Sequence, residues 1–458
     1  MRRRARQLGL ALAAAVMVAA APARAETLAE TLVDAYRNSN LLEQNRALLR
    51  VADERVGQAV ARLRPILSFV AQANRQVTAE AIPATNIDAT SASVDLQVEL
   101  NVWDGGGNRI AVRSAEESVM ATRQQLIDVE QRVLLDAVNA YVEVRLAREN
   151  VRLVENDVRL NTEELQAVRD RFSVGEVTLT DVAQAEAALA AAESRLAAER
   201  GDLGVAEASF KAAVGRAPGA LEPIASLPEV PANTEEAVAI AERQHPAIKA
   251  AQRQVTVAAL GLARARAVRG PRIDVTGALG RRDTDTTVGT LGIQLSQEIY
   301  SGGALKSAER EALANQEASL ADLHQTVLTI SRQARNAWAS LESARARITA
   351  TNAQVEAAQL AYEGVSEEAR LGARTVLDVL DLEQDLLNAR TDRVAALANR
   401  DAAVFALLAA TGFLTADHLG LDVPAYDPEA YYQAVKGAPL RSVRGDRIDK
   451  VLESLGRK

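Results

Sequence analysis

The chain repeats itself once, almost without gaps. Gly105-Gly106 returns as Gly302-Gly303, an offset of 197 residues. At the same offset Asn139-Ala140 returns as Asn336-Ala337, Gly175 as Gly372, Thr178 as Thr375, and Asp181-Val182 as Asp378-Val379. Glu186 and Gly215 likewise return as Glu383 and Gly412. Upstream, Arg37 and Pro65 match Arg243 and Pro271 at an offset of 206, so the first copy carries nine extra residues in a loop between about 77 and 92. Two copies make a duplicated domain rather than a solenoid array. Any fold must therefore build one unit twice, in the order helix, two strands, very long helix, tight turn, shorter helix.

The long helices follow from what is missing. Proline is absent from 84 to 217 and from 272 to 423, and glycine from 108 to 174 and from 304 to 363. Seven-residue patterns run through both stretches. The first is Val133, Ala137, Ala140, Val144, Ala147, Val151, Val154, Val158; the second is Ile330, Ala334, Ala337, Leu341, Ala344, Ile348, with Val355 and Tyr362 further on. Alternating steps of four and three mark a coiled-coil seam, and its small residues allow close helix approach. The 68 positions from Gly105 to Phe172 would span roughly 100 Å as a helix. Only 3% of residues are aromatic, in keeping with long helices rather than a broad globular core.

The strands carry a different period. Val94, Leu96, Val98, Leu100 and Val102 alternate with Asp95, Gln97, Glu99 and Asn101, and Leu291, Ile293 and Leu295 alternate with Gly292, Gln294 and Ser296. Period-two alternation gives one apolar and one polar face. Coiled coil offers no evident core for four such strands, and each has about the length that a tilted strand needs to cross a bilayer. Lipid on one face and a watery lumen on the other satisfy both faces. Backbone groups in lipid must all be paired, so the strands must close into a barrel, and four per chain require several chains to share one. Trp103 and Tyr300 stand just before the paired glycines, where rings suit a membrane interface; packing at a strand-to-helix corner is the alternative.

The organisation expected is a secretory signal at 1–25, a first repeat at 26–217 and a linker at 218–240 that holds four prolines. A second repeat at 241–415 and a closing segment with a flexible tail at 416–458 complete it. The strands fall at 66–78, 92–103, 272–284 and 288–300. The long helices fall at 105–172 and 302–369, and the returning helices at 180–215 and 377–412. The signal reads from Arg2, Arg3, Arg4 and Arg6, the apolar run Leu8 to Ala21, and Ala23-Arg24-Ala25 before Glu26. Removing it leaves 48 basic against 61 acidic residues, a net charge of −13. Such a balance does not suit nucleic acid or direct binding to anionic lipid. There is no cysteine, hence neither disulfide nor lipid-acceptor thiol. His245, His324 and His418 are isolated, without metal-ligand spacing, and are expected at the surface. No nucleophile motif appears, so neither catalysis nor a cofactor is expected.

Arg171-Phe172-Ser173-Val174-Gly175 through Thr180-Asp181-Val182, and Leu371-Gly372-Ala373-Arg374-Thr375 through Asp378-Val379-Leu380-Asp381, look like paired helix-hairpin tips. With the duplicated strand-pair and long-helix order, the chain resembles the TolC family of outer-membrane efflux channels over essentially its whole mature length. That resemblance implies a homotrimer, a twelve-stranded barrel in outer-membrane lipid, and a twelve-helix periplasmic tunnel. It implies docking to a periplasmic adaptor and to an inner-membrane pump of the RND or ABC type. A periplasmic coiled-coil adaptor or structural rod is the alternative function. Multidrug efflux and type I protein secretion are both compatible with the sequence.

The same resemblance assigns site residues. Asp378 and Asp381, one helical turn apart, would form stacked acidic rings at the constriction, favouring cations and raising some of their own pKa values; an ordinary solvated helix face is the alternative. The first copy has Asp181 but Gln184 in these places. Arg374, whose counterpart is Val177, would latch the entrance by reaching Thr180 and Asp181 on the neighbouring hairpin. The family's second latch uses a tyrosine where this chain has Ala369, and Arg390 is the candidate replacement. Gly175 and Gly372 are turn glycines and, by resemblance, the adaptor contact.

Overall fold

The computed structural model describes residues 26–79, 86–282, 286–424 and 426–438. The signal segment and the terminal residues beyond 438, with Arg441, Arg444, Arg447 and Lys450, lie outside the described residues. In chain order the elements are α1 (Leu28–Asn38), α2 (Asn40–Ala61), β1 (Ile66–Ala79), β2 (Asn86–Trp103), α3 (Gly107–Ser173) and α4 (Leu179–Val214). The second copy gives α5 (Thr234–Gln244), α6 (Pro246–Ala267), β3 (Arg272–Arg282), β4 (Thr287–Ser296), α7 (Ala304–Arg370) and α8 (Val376–Thr411), and α9 (Pro428–Val435) closes the chain. Helices α3 and α7 are each 67 residues long and α4 and α8 each 36, so the duplication is exact in length for these pairs. Two compact units result. One holds the residues up to 42 with 129–245 and 330–424; the other holds 43–128, 246–329 and the residues from 425.

The second of these units contains a four-stranded antiparallel sheet in the order β1-β2-β3-β4. Its register decides what the alternation means. Leu67 pairs Val98 and Phe69 pairs Leu96, while Leu96 also faces Leu279, and Val275 faces Ile293. Directly opposed residues share a face, so the apolar sets of all four strands fall on one side. That side is uncovered: Phe69 is 69% exposed, Leu291 84% and Ile293 77%. The other side carries a polar mesh, in which Asn101 donates to Asp274 at 2.8 Å and Arg272 pairs with Asp274 at 2.7 Å.

Strand ends depart from the sequence reading. β4 stops at Ser296 rather than 300 because Gln297-Glu298 breaks the alternation, and Tyr300 lies four residues beyond the strand. Trp103 does end β2, and a bulge after Asn101 turns it onto the apolar side opposite Ile273. β2 begins earlier than expected, at Asn86.

Leu49, Ala52 and Val56 of α2 pack on Val119 of α3, joined by Tyr426 and Tyr432. The sequence reads as polar and aperiodic from 425, yet Pro428–Val435 is a helix, started by Asp427 accepting from the Glu429 amide with proline in the first turn. It is held by Arg123 with Glu429 (2.6 Å), the Tyr431 hydroxyl to Glu54 (2.7 Å) and Arg64 to the Ala438 carbonyl (2.6 Å). Beneath lies Asp53, fully buried, with neither carboxyl oxygen hydrogen-bonded. Burial pushes its pKa up to about 7 against the opposing charge of Arg123, and Glu429 and Glu54 add to the rise.

In the other unit the expected seams are buried: Val133, Ala137, Ala140, Val144 and Ala147 on α3, and Ile330, Ala334, Leu341 and Ala344 on α7. α3 joins Leu32 and Ala35 of α1, Phe210 and Val214 of α4, and Phe405 and Leu408 of α8 in one core. Tyr141, fully buried there, donates its hydroxyl to the carbonyls of Glu222 (2.7 Å) and Glu26 (3.0 Å), tying the chain start to the inter-repeat segment. α8 is long and apolar enough to cross a membrane by length and composition, but half of that window is buried in the protein. His245 is also buried, at 6% exposure, where it caps α5, so it is not the surface residue expected. Gly412 shows why that corner is tight: its φ is +88°, and a Cβ would sit 3.0 Å from the His245 Cα. His418 is exposed and stacks on Phe413 with ring centroids 4.9 Å apart.

Candidate functional site

The two hairpin tips are built alike. α3 ends at a left-handed glycine, Gly175 (φ +82°), whose amide donates to the Phe172 carbonyl at 3.0 Å; the Glu176 amide donates to Arg171. α7 ends the same way at Gly372 (φ +79°), with Ala373 donating to Glu368. Each returning helix then starts with a reciprocal cap. The Thr178 hydroxyl accepts from the Asp181 amide while Asp181 accepts from the Thr178 amide at 2.8 Å; Thr375 and Asp378 repeat this at 3.0 Å. Between the tips, Leu165 and Val168 pack with Val182 and Ala185 and with Val376 of the second hairpin.

This geometry sorts the residues expected here. Asp378 folds back on its own helix start, and the Thr375 amide and hydroxyl, aided by Arg374, hold its carboxyl below the usual range. Within one chain it is therefore an ionised cap, not a residue raised by crowding. Asp381 is exposed one turn later. Asp181 is likewise occupied by Thr178, which holds its pKa down, and Thr180 is exposed. Arg374 does not reach either of them: its Nε pairs with Glu368 at 2.9 Å, inside its own hairpin. Arg390 donates to Gln359 across the α7–α8 pair rather than joining a latch at the tip. Gly175 and Gly372 sit in open surroundings, with nothing within 4 Å of an added Cβ. Exposed apolar side chains flank them, Val174 at 70% and Leu371 at 82%.

A buried acid just above the second tip escapes the sequence reading. Glu383 is 6% exposed, and its Oε1 has no hydrogen-bond partner. Burial raises its pKa to about 7; the charges of Asp157 and Glu164 on α3 add to that and Arg195 on α4 opposes it. Arg195 is already committed to Asp157 at 2.9 Å, and Asn161 also binds Asp157. On α7, Tyr362 is pushed up by burial, with Glu383 and Glu164 contributing and Arg370 and Arg390 opposing. The repeat partner, Glu186, is half exposed and paired with Arg169 at 2.7 Å. Ser366 stands at the place equivalent to Arg169, so Glu383 lacks that counterion. The signal was present: Val376, Val379, Glu383 and Leu386 are all buried on α8, and their spacing marks one helical face.

An outer membrane efflux protein family model matches residues 31–216 and 238–413, one match per repeat. The chain belongs to the outer membrane efflux protein family. Among its relatives, the outer membrane efflux protein BepC of Brucella suis is 35% identical over 90% of this chain and 91% of its own length. The outer membrane protein TolC of Escherichia coli is 23% identical over 80% of this chain and 78% of its own. Among solved structures, the CmeC outer membrane channel of Campylobacter jejuni superposes with a TM-score of 0.78 at 17% identity, covering 90% and 89% of the two chains. As a member of the family the chain is an outer-membrane channel for efflux or secretion, and its task is conduction rather than catalysis.

Proposed function

We propose that three copies of this chain pool their strands into one twelve-stranded barrel in the outer membrane. Their helices continue as a passive duct through the periplasm, served by an adaptor and an energised inner-membrane pump. The observation that carries this reading is a sheet with one predominantly apolar, uncovered face and, among the described residues, two unpaired edges. Such a sheet is stable neither in water nor alone in lipid, and closing it into a shared ring removes both problems. The exposed apolar tips around Gly175 and Gly372 are the surface for the adaptor.

In this reading Asp378 and Asp381, brought together threefold, form the selective constriction, and six carboxylates favour cations. Replacing both by alanine should relieve block by a multivalent cation in single-channel recordings from the reconstituted protein. Unchanged block would place the constriction elsewhere.

We infer a brace within the second hairpin as the alternative to the latch that the resemblance implies. Arg374 ties the turn to Glu368 and flanks Asp378. Arg374→Ser and Glu368→Gln should therefore raise resting conductance alike. An effect of Arg374→Ser alone would instead favour a partner on another hairpin. An exposed pair is weak by itself, so the expected rise is a few-fold, multiplied through three copies that open together.

A further inference from the structure

A second charged region lies away from the tips. A cavity of about 680 Å³ is bounded by α3, α7, α8 and the inter-repeat segment. Its lining joins apolar Val142, Leu146, Ile224, Val394 and Leu397 to Arg145, Arg148, Arg152, Arg393 and Arg400, with Glu149 and Asp401 among them. Few acids answer them. Arg145 and Arg400 share Asp401, which is 5% exposed. Arg148 takes Glu207, and Arg152 takes Glu149. Arg393 has none: its Nε is buried without a hydrogen-bond partner, and among the described residues no carboxylate lies within ion-pair distance of it. Its charge reaches Glu149, held below the usual range mainly by Arg152 and further by Arg145 and Arg393.

A partly buried guanidinium without a partner is costly, and the rest of the chain is acidic, so this concentration of positive charge is local. Its two α8 members are not part of the duplication. At the 197-residue offset Arg393 and Arg400 correspond to Leu196 and Leu203, and Arg145 corresponds to Glu342. Duplication alone would have put leucine at both α8 places.

We infer that this cavity is a binding site for an amphipathic organic anion, its apolar body against Ile224, Val394 and Leu397 and its carboxylate or sulfonate on Arg393. The volume is within the range of small-molecule sites. A planar guanidinium with free N–H groups suits a two-oxygen head. The apolar wall distinguishes the site from a plain phosphate or sulfate trap.

The test uses the full chain in lipid nanodiscs with naphthalene-1-sulfonate as probe. Inorganic sulfate lacks the apolar body, and 1-naphthol lacks the charge. Saturable binding of one probe per chain is expected, with both controls weaker by roughly tenfold or more. Arg393→Met should cut probe affinity by a similar factor while leaving the thermal midpoint unchanged or higher, since it removes an unpaired charge. Ile224→Asn should weaken the probe but not sulfate. Binding unchanged in Arg393→Met would overturn the proposal. So would the absence of saturable binding up to about 10 mM, the result expected if a carboxylate of a second copy fills the cavity in the assembled protein. Sulfate binding as tightly as the probe would overturn the amphipathic assignment.

Discussion

Arginine in place of Ile293 should abolish recovery of the protein as a detergent-resistant oligomer in the outer-membrane fraction, whereas arginine in place of its neighbour Gln294 should not. The two residues are adjacent on β4, so chain position, strand propensity and expression are matched. They differ in the face they occupy. Ile293 lies opposite Val275 on the apolar side and is 77% exposed, while Gln294 lies opposite Asp274 on the polar side. An arginine facing lipid near the bilayer midplane costs about 2–4 kcal/mol per chain, and a ring of three incurs it three times. On the lumen side the same guanidinium stays in water and can join Asp274. Equal assembly of the two variants would mean that the apolar side does not face hydrocarbon, and the shared-barrel reading would fall with it.

The second large effect is a pH response that Glu383→Gln should flatten. Glu383 titrates near 7 when packed, against an ordinary value of 4.5. Between those values the packed hairpin keeps its proton, while any conformation that exposes the side chain releases it. Opening therefore becomes more favourable as pH rises from about 4.5 toward 7, by at most tenfold per unit. It levels off above 7, where both forms are ionised. The acidic side is the stable side. The expected change is between one and two orders of magnitude in opening of residues 375–390, read by amide exchange of that segment at pH 5, 6, 7 and 8. Glutamine keeps the shape and cannot ionise, so its exchange, corrected for intrinsic rate, should stay low throughout. A wild-type segment with no pH dependence would show that Asp157, Glu164 and Tyr362 around Glu383 do not hold its proton. Whole-protein melting is a poorer readout, because Asp53 also titrates near 7; an Asp53→Asn background separates the two.

Where the sequence carries period and punctuation, the fold can be read from it. Paired glycines mark both strand-to-helix corners, Gly175 and Gly372 mark both tips, and the heptads mark the buried stripes of α3 and α7. Alternation in β2 and β4 also revealed which side would be apolar, though only the register shows that all four strands agree. The sequence is less legible where one residue serves two roles. Asp181 and Asp378 stand at both a tip and the third position after a threonine, so each caps its helix as well as facing the tip, and the sequence motif alone does not separate the two roles. In the sequence Glu383 is only a repeat marker, matched by Glu186, and its loss of a counterion at Ser366 requires knowing what α3 and α7 place around it. The helix at 428–435 was announced by Asp427-Pro428, but eight residues are too few to show a period. The arginines of the cavity come from two helices, α3 and α8, far apart in the chain, and no spacing along it brings them together.

The sheet has a direction. Its two free margins are unlike, β1 with 14 residues on one side and β4 with 10 on the other. Joining β4 of one chain to β1 of the next keeps strands alternately up and down and leaves the same pair of margins open for another copy. A two-fold pair would join like to like and leave both remaining margins bare. Growth by head-to-tail addition can stop only when the last copy meets the first, so the copy number is set by curvature, and a chain caught halfway through assembly is as adhesive as one that has not begun.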